Sequence, residues 1–239
     1  MTQMLFREDA YLREASGVVT GHTDEGGIIL DQALFYPTGG GQPGDSGDIS
    51  WSGGALSIAT TIKGQGEDIV LVPAEPRVMP AIGQPITQKL DWERRHRHMR
   101  MHTALHLLSV VIPFAVTGGN ISAERGRLDF DMPDAPEDRD AIEVALAELV
   151  AEDAVVADEW ITEEELDAKP GLVKTMSVQP PRGAGRIRLV RIGSGIETID
   201  LQPCGGTHVG RTGEIGALRI AKVEKKGRQN RRVYLTLDS

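Results

Sequence analysis

Four side chains in this sequence are of types that bind borderline metal ions and stand at spacings that would let them do so. His102 and His106 lie four apart in HTALH, and on a helix that spacing puts both imidazoles on one face, about one turn apart. Two rings so placed can share an ion, and equally can be two satisfied polar residues at a helix boundary. A second pair shifts the balance. Cys204, the only cysteine, and His208 stand four apart in PCGGTH, 98 residues beyond His106. Separated by Gly205, Gly206 and Thr207, they can converge, because glycine lets a backbone turn tightly around an ion. Imidazole and thiolate together suit zinc better than magnesium or calcium. The expectation is one zinc ion between a helical half-site and a half-site in a glycine loop. His98 lies four before His102 on the same face, and its expected place is an exposed one among arginines, with a phosphate-facing role ahead of ligation.

Other chemistry-bearing patterns fail on inspection. FYPTGGGQPGDSG, residues 35 to 47, is glycine-rich, but no Lys-Ser/Thr follows at P-loop spacing. GSGIET at 193 to 198 lacks the third glycine of a dinucleotide fingerprint, so no nucleotide cofactor is expected. No Gly-x-Ser-x-Gly elbow is present, and Cys204 suits metal ligation better than nucleophilic attack.

The elements that must position these groups divide the chain in two. The first ninety residues hold 14 of the 28 glycines and read as short strands at Gly17 to Thr20, Ile28 to Tyr36, Leu56 to Lys63 and Ile69 to Val72. That is a small all-β unit. Pro73, Pro76, Pro80 and Pro85 then fall within 13 residues, a density that neither a helix nor a central strand tolerates. The junction is placed there, with a first domain over 1–88 and a second over 89–239. From Asp91 onward Trp92, Met99, Ala104, Leu105, Leu108 and Ile112 keep helical spacing up to Pro113. A second helix is expected behind Asp134, which with Glu137 would form a capping box, and its apolar stripe is Ile142, Ala145, Leu146, Leu149 and Val150. After Trp160 strands return at about Arg186 to Ile192, Ile196 to Leu201, Ile215 to Glu224 and Arg231 to Leu237, the last two joined by a hairpin at Lys225 to Asn230. The second domain is therefore α+β.

A chain of 239 residues with 40% hydrophobic and 26% charged residues is long enough and apolar enough for each domain to bury a core. The single cysteine excludes a disulfide scaffold, and no apolar run approaches the roughly 18 residues that a membrane span needs. The start MTQMLFREDA lacks the charged-then-apolar plan of a secretory leader, so a cytoplasmic protein is expected. The net charge of -9 conceals a division, since residues 129 to 167 hold 16 acids and one base, Arg139, and the other 200 residues sum to +6. Residues 219 to 232 carry Arg219, Lys222, Lys225, Lys226, Arg228, Arg231 and Arg232 against Glu224. Such a run could meet phosphates or be a solvated hairpin.

HTALH followed by PCGGTH, with a helix and several strands between, resembles the editing domain of alanyl-tRNA synthetases and the free-standing alanyl-tRNA editing proteins related to it. FYPTGGGQPGDSG looks like the glycine-rich motif of the β-barrel that precedes that domain, RLDFD at 127 to 131 like its central strand, and the basic hairpin like its closing segment. The resemblance thus covers nearly the whole chain. The four-ligand pattern is shared with threonyl-tRNA synthetase editing domains, but the barrel and the CGGTH form point to the alanyl branch. At 239 residues there is no room for an aminoacylation domain, which implies a trans-acting editor. The implied fold is α+β: a small N-terminal β-barrel followed by a zinc-containing editing domain with an antiparallel sheet.

The resemblance implies hydrolysis of the ester joining serine, or glycine, to the terminal adenosine of tRNA for alanine, at a site built from His102, His106, Cys204 and His208. A pocket shaped for alanine cannot exclude smaller glycine and rejects an added hydroxyl only about 100-fold, so a second, hydrolytic site has a physical reason. Either three of the four donors hold zinc and leave a position open, or all four bind it. The substrate side is assigned to Thr103, Asn120, Gly205, Gly206 and Thr207, with Asn120 and Thr103 as readers of the serine hydroxyl. Their plainer roles are a turn residue and a back-bond within the helix. Contacts to tRNA are assigned to Gly39, Gly40 and Gly41 and to Arg228, Arg231 and Arg232. With aromatics at 4%, stacking platforms for single strands are not expected. Two rival readings stand beside this one: a zinc-stabilised RNA-binding module without catalysis, and a deacylase of another mischarged tRNA such as seryl-tRNA for threonine.

Overall fold

A computed structural model describes residues 2–75, 78–136, 138–175 and 185–238. The chain forms two compact units, Met1–His96 and Arg97–Ser239.

In the first unit β1 (Gln3–Met4) leads into the helical turn α1 (Leu5–Glu8), and then come β2 (Glu14–His22), β3 (Ile28–Leu30), β4 (Gln32–Ala33), β5 (Gly47–Trp51), β6 (Gly54–Lys63), β7 (Ile69–Pro73) and β8 (Pro85–Leu90). Six of these close into an antiparallel barrel in the order β2-β3-β7-β6-β5-β8. Period-2 alternation builds its interior: Ile86, Gln88 and Leu90 of β8 point inward, with Val19, Leu30, Ile49, Leu56, Ile58 and Leu71 around them. Gln88 is satisfied there, accepting from Leu34 N and donating to the carbonyls of Ser16 and Gln32.

Two expectations change. The run Ile28 to Tyr36 is broken into β3 and β4, and Pro85 opens a strand that pairs with both β2 and β5. Proline at the first residue of a strand costs little of the ladder, so the barrel runs past the proline cluster and the unit extends to His96, beyond the expected boundary at 88. Arg95 lies wholly buried in this unit, its guanidinium on Asp45 and on the carbonyls of Ala10 and Leu34.

The helix α2 (Trp92–Val111) begins after Asp91, whose side chain accepts from Arg94 N, and stops before Pro113, as its spacing predicts. Beyond it follow β9 (Val116–Ile121), β10 (Arg125–Asp131), α3 (Arg139–Ala151), β11 (Val156–Thr162), α4 (Glu163–Asp167), β12 (Arg186–Ser194), β13 (Glu197–Pro203), β14 (Leu218–Lys225) and β15 (Asn230–Leu237). They make a four-stranded sheet in the order β14-β15-β10-β9 and a three-stranded sheet β11-β12-β13, all pairs antiparallel. RLDFD falls in the interior strand β10, and β14 and β15 form the expected hairpin. A Cβ on Gly126 would lie 2.6 Å from Met101 Sδ, so glycine here lets α2 lie directly on β10. The cap of α3 is Asp138, accepting from Ala141 N at 2.8 Å, and not Asp134; Glu137 lies outside the described residues. The strand β11 was not expected, because Asp158 and Glu159 interrupt its apolar alternation. Among the described residues no helix is long and apolar enough to cross a membrane.

Candidate metal centre

The second unit brings His102, His106, Cys204 and His208 together, with one donor atom of each lying within 4.8 Å of the others. Cys204 Sγ is 3.4 Å from His102 Nε2 and 3.2 Å from His208 Nε2. A tetrahedral zinc ion bound at ordinary distances would hold sulfur and nitrogen roughly 3.6 Å apart. The donor set fits zinc in kind and in spacing.

Local structure explains why the donors meet. On α2, His102 and His106 share one face while Met101 and Leu105 turn to β10. On β13, Asp200 and Gln202 alternate with Leu201 and Pro203, and Cys204 continues the inward series. Asp200 Oδ2 accepts from His106 Nδ1 at 2.8 Å and from Gln202 Nε2 at 2.7 Å, and its other oxygen accepts from Lys174. Thr103 Oγ1 donates to Met99 O and accepts from Val209 N, which leaves it an acceptor toward His208 Nδ1 at 3.4 Å. Both histidines therefore carry their proton on Nδ1 and present Nε2 to the cluster. Arg188 pins the loop: Nη1 donates to Cys204 O and Gly206 O, each at 2.8 Å, while Nε and Nη2 hold Asp158.

The electrostatics are those of a buried, coupled site. Burial favours neutral His106, but the Asp200 carboxylate and the nearby Cys204 sulfur outweigh it and raise its pKa to about 9. Burial also opposes a thiolate at Cys204, yet the charges of His102 and His208 hold that thiol well below its usual value. His208 is pushed well down, by burial first and by the charge of His102 second. Asp200 stays below the ordinary carboxylate range because His106 and Lys174 overcome its burial.

The remaining assignments scatter. Gly205 is exposed, and a Cβ there would meet nothing within 4 Å, so what glycine supplies is open space beside Cys204. Gly206 and Thr207 are buried. Thr103 makes the back-bond to its helix, and its hydroxyl is engaged on three sides. Asn120 is exposed on β9, cross-strand from Arg127, on the sheet face opposite to Leu128 and Phe130, and the structure does not bring it to the cluster. His98 is buried, not exposed, because α2 is covered on that side as well, and it is not part of the donor cluster. In the hairpin Arg228 is exposed, Arg232 grips both oxygens of Asp129, and Arg231 turns inward onto the carbonyls of Pro133, Gly227 and Asn230. In the first unit Gly40 (φ 57°) and Gly41 (φ 83°) form a tight turn closed by mutual hydrogen bonds between Gly39 and Gln42. Sequence reasoning missed Asp200, Gln202, Lys174 and Arg188. The first two had a signal, since Asp200, Gln202 and Cys204 stand two apart on a strand and so share one face.

A family model described as the threonyl and alanyl tRNA synthetase second additional domain matches residues 187–234, and one for class II (A) tRNA synthetases matches residues 9–94. The chain is 33% identical over 247 residues to the alanyl-tRNA editing protein AlaX-M of Methanosarcina acetivorans, covering 99% of each, and 32% identical over 242 residues to that of Saccharolobus solfataricus, again over 99% of each. It is 35% identical over 233 residues to the alanine--tRNA ligase of Pyrobaculum calidifontis, covering 94% of this chain and 25% of the ligase. At 31 to 33% identity over 99% of its own length to several full-length relatives, the chain belongs to the alanyl-tRNA editing protein family.

Proposed function

We propose that this chain is a cytoplasmic, trans-acting aminoacyl-tRNA deacylase that hydrolyses the ester joining serine, and secondarily glycine, to the terminal adenosine of tRNA for alanine, with one zinc ion at His102, His106, Cys204 and His208. The observation that carries the reading is the meeting of those four donors, three buried histidines and the half-buried Cys204, drawn from segments 98 residues apart, in a chain whose full-length relatives are named for editing alanyl-tRNA. When bound, zinc supplies Lewis acidity and positive charge toward an ester carbonyl. The chain's own residues orient and shield. Asp200 and Thr103 fix the rings of His106 and His208 through Nδ1, Arg188 holds the loop that carries Cys204, and Gly205 leaves that loop open to an approaching ester. Discrimination would come from a polar group that pairs with the serine hydroxyl and is left unpaired by alanine, a penalty that reaches roughly 10⁴-fold in sites built this way.

A closed set of four protein donors favours one rival, a zinc-stabilised RNA-binding module without catalysis. Release of labelled serine from mischarged alanine tRNA, with and without a chelator, separates the two. Metal-loaded protein that leaves the ester intact when in excess over substrate would establish the module. Faster release from seryl-tRNA for threonine than from seryl-tRNA for alanine would move the proposed substrate.

A further inference from the structure

The three-stranded sheet of the second unit has a row that runs Trp160, Arg188, Cys204. Trp160 pairs with Arg188 across β11 and β12. On the other side Leu189 pairs with Pro203, and Cys204, one residue on, donates its N–H to Arg188 O at 3.2 Å. Residues of one row project from one face, so Trp160 stands on the face that carries the donor cluster. It lies two strand spacings, roughly 10 Å, from Cys204. Arg188 between them is committed to Asp158, Cys204 O and Gly206 O. The indole, 43% exposed on an edge strand, is the group of that row left to meet a ligand. The chain has 3 Trp, 3 Tyr and 4 Phe in all, and among the described residues only Phe114 and Trp160 are strongly exposed aromatics.

We infer that Trp160 is the stacking platform for the terminal adenine of the RNA substrate, placing the base on the indole while the aminoacyl ester reaches along the row toward Cys204. The inference rests on the aminoacyl-tRNA reading and adds to it the residue that holds the nucleoside. The ester on a ribose lies about one nucleoside from the far edge of its base, and the row offers a separation of that kind between the donor set and an aromatic face. Stacking is sequence-tolerant, since every base has a π-face. Low aromatic content argues against a run of such platforms along a single strand, and a substrate with one reacting nucleotide needs only one.

The test is binding of two uncharged RNA minihelices to the full-length, zinc-loaded protein, one ending in CCA and one lacking the terminal adenosine, read by fluorescence anisotropy. Wild type is expected to bind the CCA minihelix roughly 5- to 150-fold more tightly than the shortened one. Trp160→Ala, with metal content unchanged, is expected to bind both alike, and Trp160→Phe to keep most of the difference. Undiminished dependence on the terminal adenosine in Trp160→Ala overturns the inference, including when that variant changes its oligomeric state. If wild type binds neither RNA, the aminoacyl-tRNA reading fails and the inference with it. If the adenosine dependence vanishes in Trp160→Ala but no serine is ever released from mischarged tRNA, the platform stands and the deacylase reading falls.

Discussion

Two groups of side chains stand out in this sequence by type and spacing, the His/Cys donors and the basic run from Arg219 to Arg232, and folding treats them in opposite ways. The donors are drawn out of water and converge, each histidine ring of the pair His106 and His208 held from behind by Asp200 or Thr103. The basic run is spread over β14 and β15, where acids meet it. Lys222 and Lys226 bind Glu224, Arg219 binds Asp238, Arg232 binds Asp129, and Arg231 folds inward. Among the described residues, Lys225 and Arg228 are exposed and make no ion pair. A ligand pattern names its own partners, because few residue types can complete the coordination of such an ion and imidazole with thiolate is the set that suits it. A charge run does not, because what neutralises it depends on which acid the strand register brings opposite.

Perturbing the first group should have the largest effects. Cys204→Ala should lower zinc affinity by more than the roughly 100-fold that loss of an outer partner costs, with serine release lost alongside, as measured by metal analysis and deacylation. Normal metal content would remove Cys204 from the ligands. Asp200→Asn should weaken zinc binding by about 10- to 100-fold in chelator competition. Wild-type zinc affinity should rise with pH up to about 9, because His106 must release its proton, and this rise should level off at a lower pH in Asp200→Asn, which lacks the carboxylate that raises His106. A pH profile unchanged by that substitution would show that the carboxylate does not govern the ring.

Effects at the hairpin should be smaller and should divide by pairing. Arg228→Ala should weaken tRNA binding and reduce the salt slope of log Kd by about 1, whereas Arg232→Ala should leave the slope nearly unaltered, its charge being matched by Asp129. Equal slopes in the two variants would erase the distinction between free and paired cations. The smallest effect concerns acid stability. Burial raises the pKa of Asp129, but Arg232 and Arg127 lower it more, leaving it below 3.8. A carboxylate depressed in the folded state stabilises above its unfolded pKa and loses that contribution as pH falls through the folded value. Asp129→Asn should therefore cost less than about 1 kcal/mol near pH 7, and the gap in Tm between variant and wild type should close below pH 3.8.

Much of this architecture was legible in the sequence where signals are local. The spacing of α2 and its proline stop, the four donors and the closing hairpin need only a few neighbouring residues to be read. The strands β5, β8, β9 and β11 were missed, and two of them show the limit: β8 begins with Pro85 and β11 is interrupted by acids, and both are strands because partners on each side or on one edge accept them. Asp200 and Gln202 were readable from their alternation with Cys204. Lys174 and Arg188 were not, since nothing near them in the chain announces what they touch.

By itself the sequence determined which side chains can ligate an ion and which helix and loop carry them, because donor chemistry and hydrophobic period are properties of short segments. Only the tertiary structure decided that Thr103 serves His208, that Arg232 is occupied by Asp129, that Asn120 faces away from the cluster and that Trp160 shares a row with Cys204. Those outcomes depend on cross-strand register and helix placement, which residues far apart in the chain set jointly.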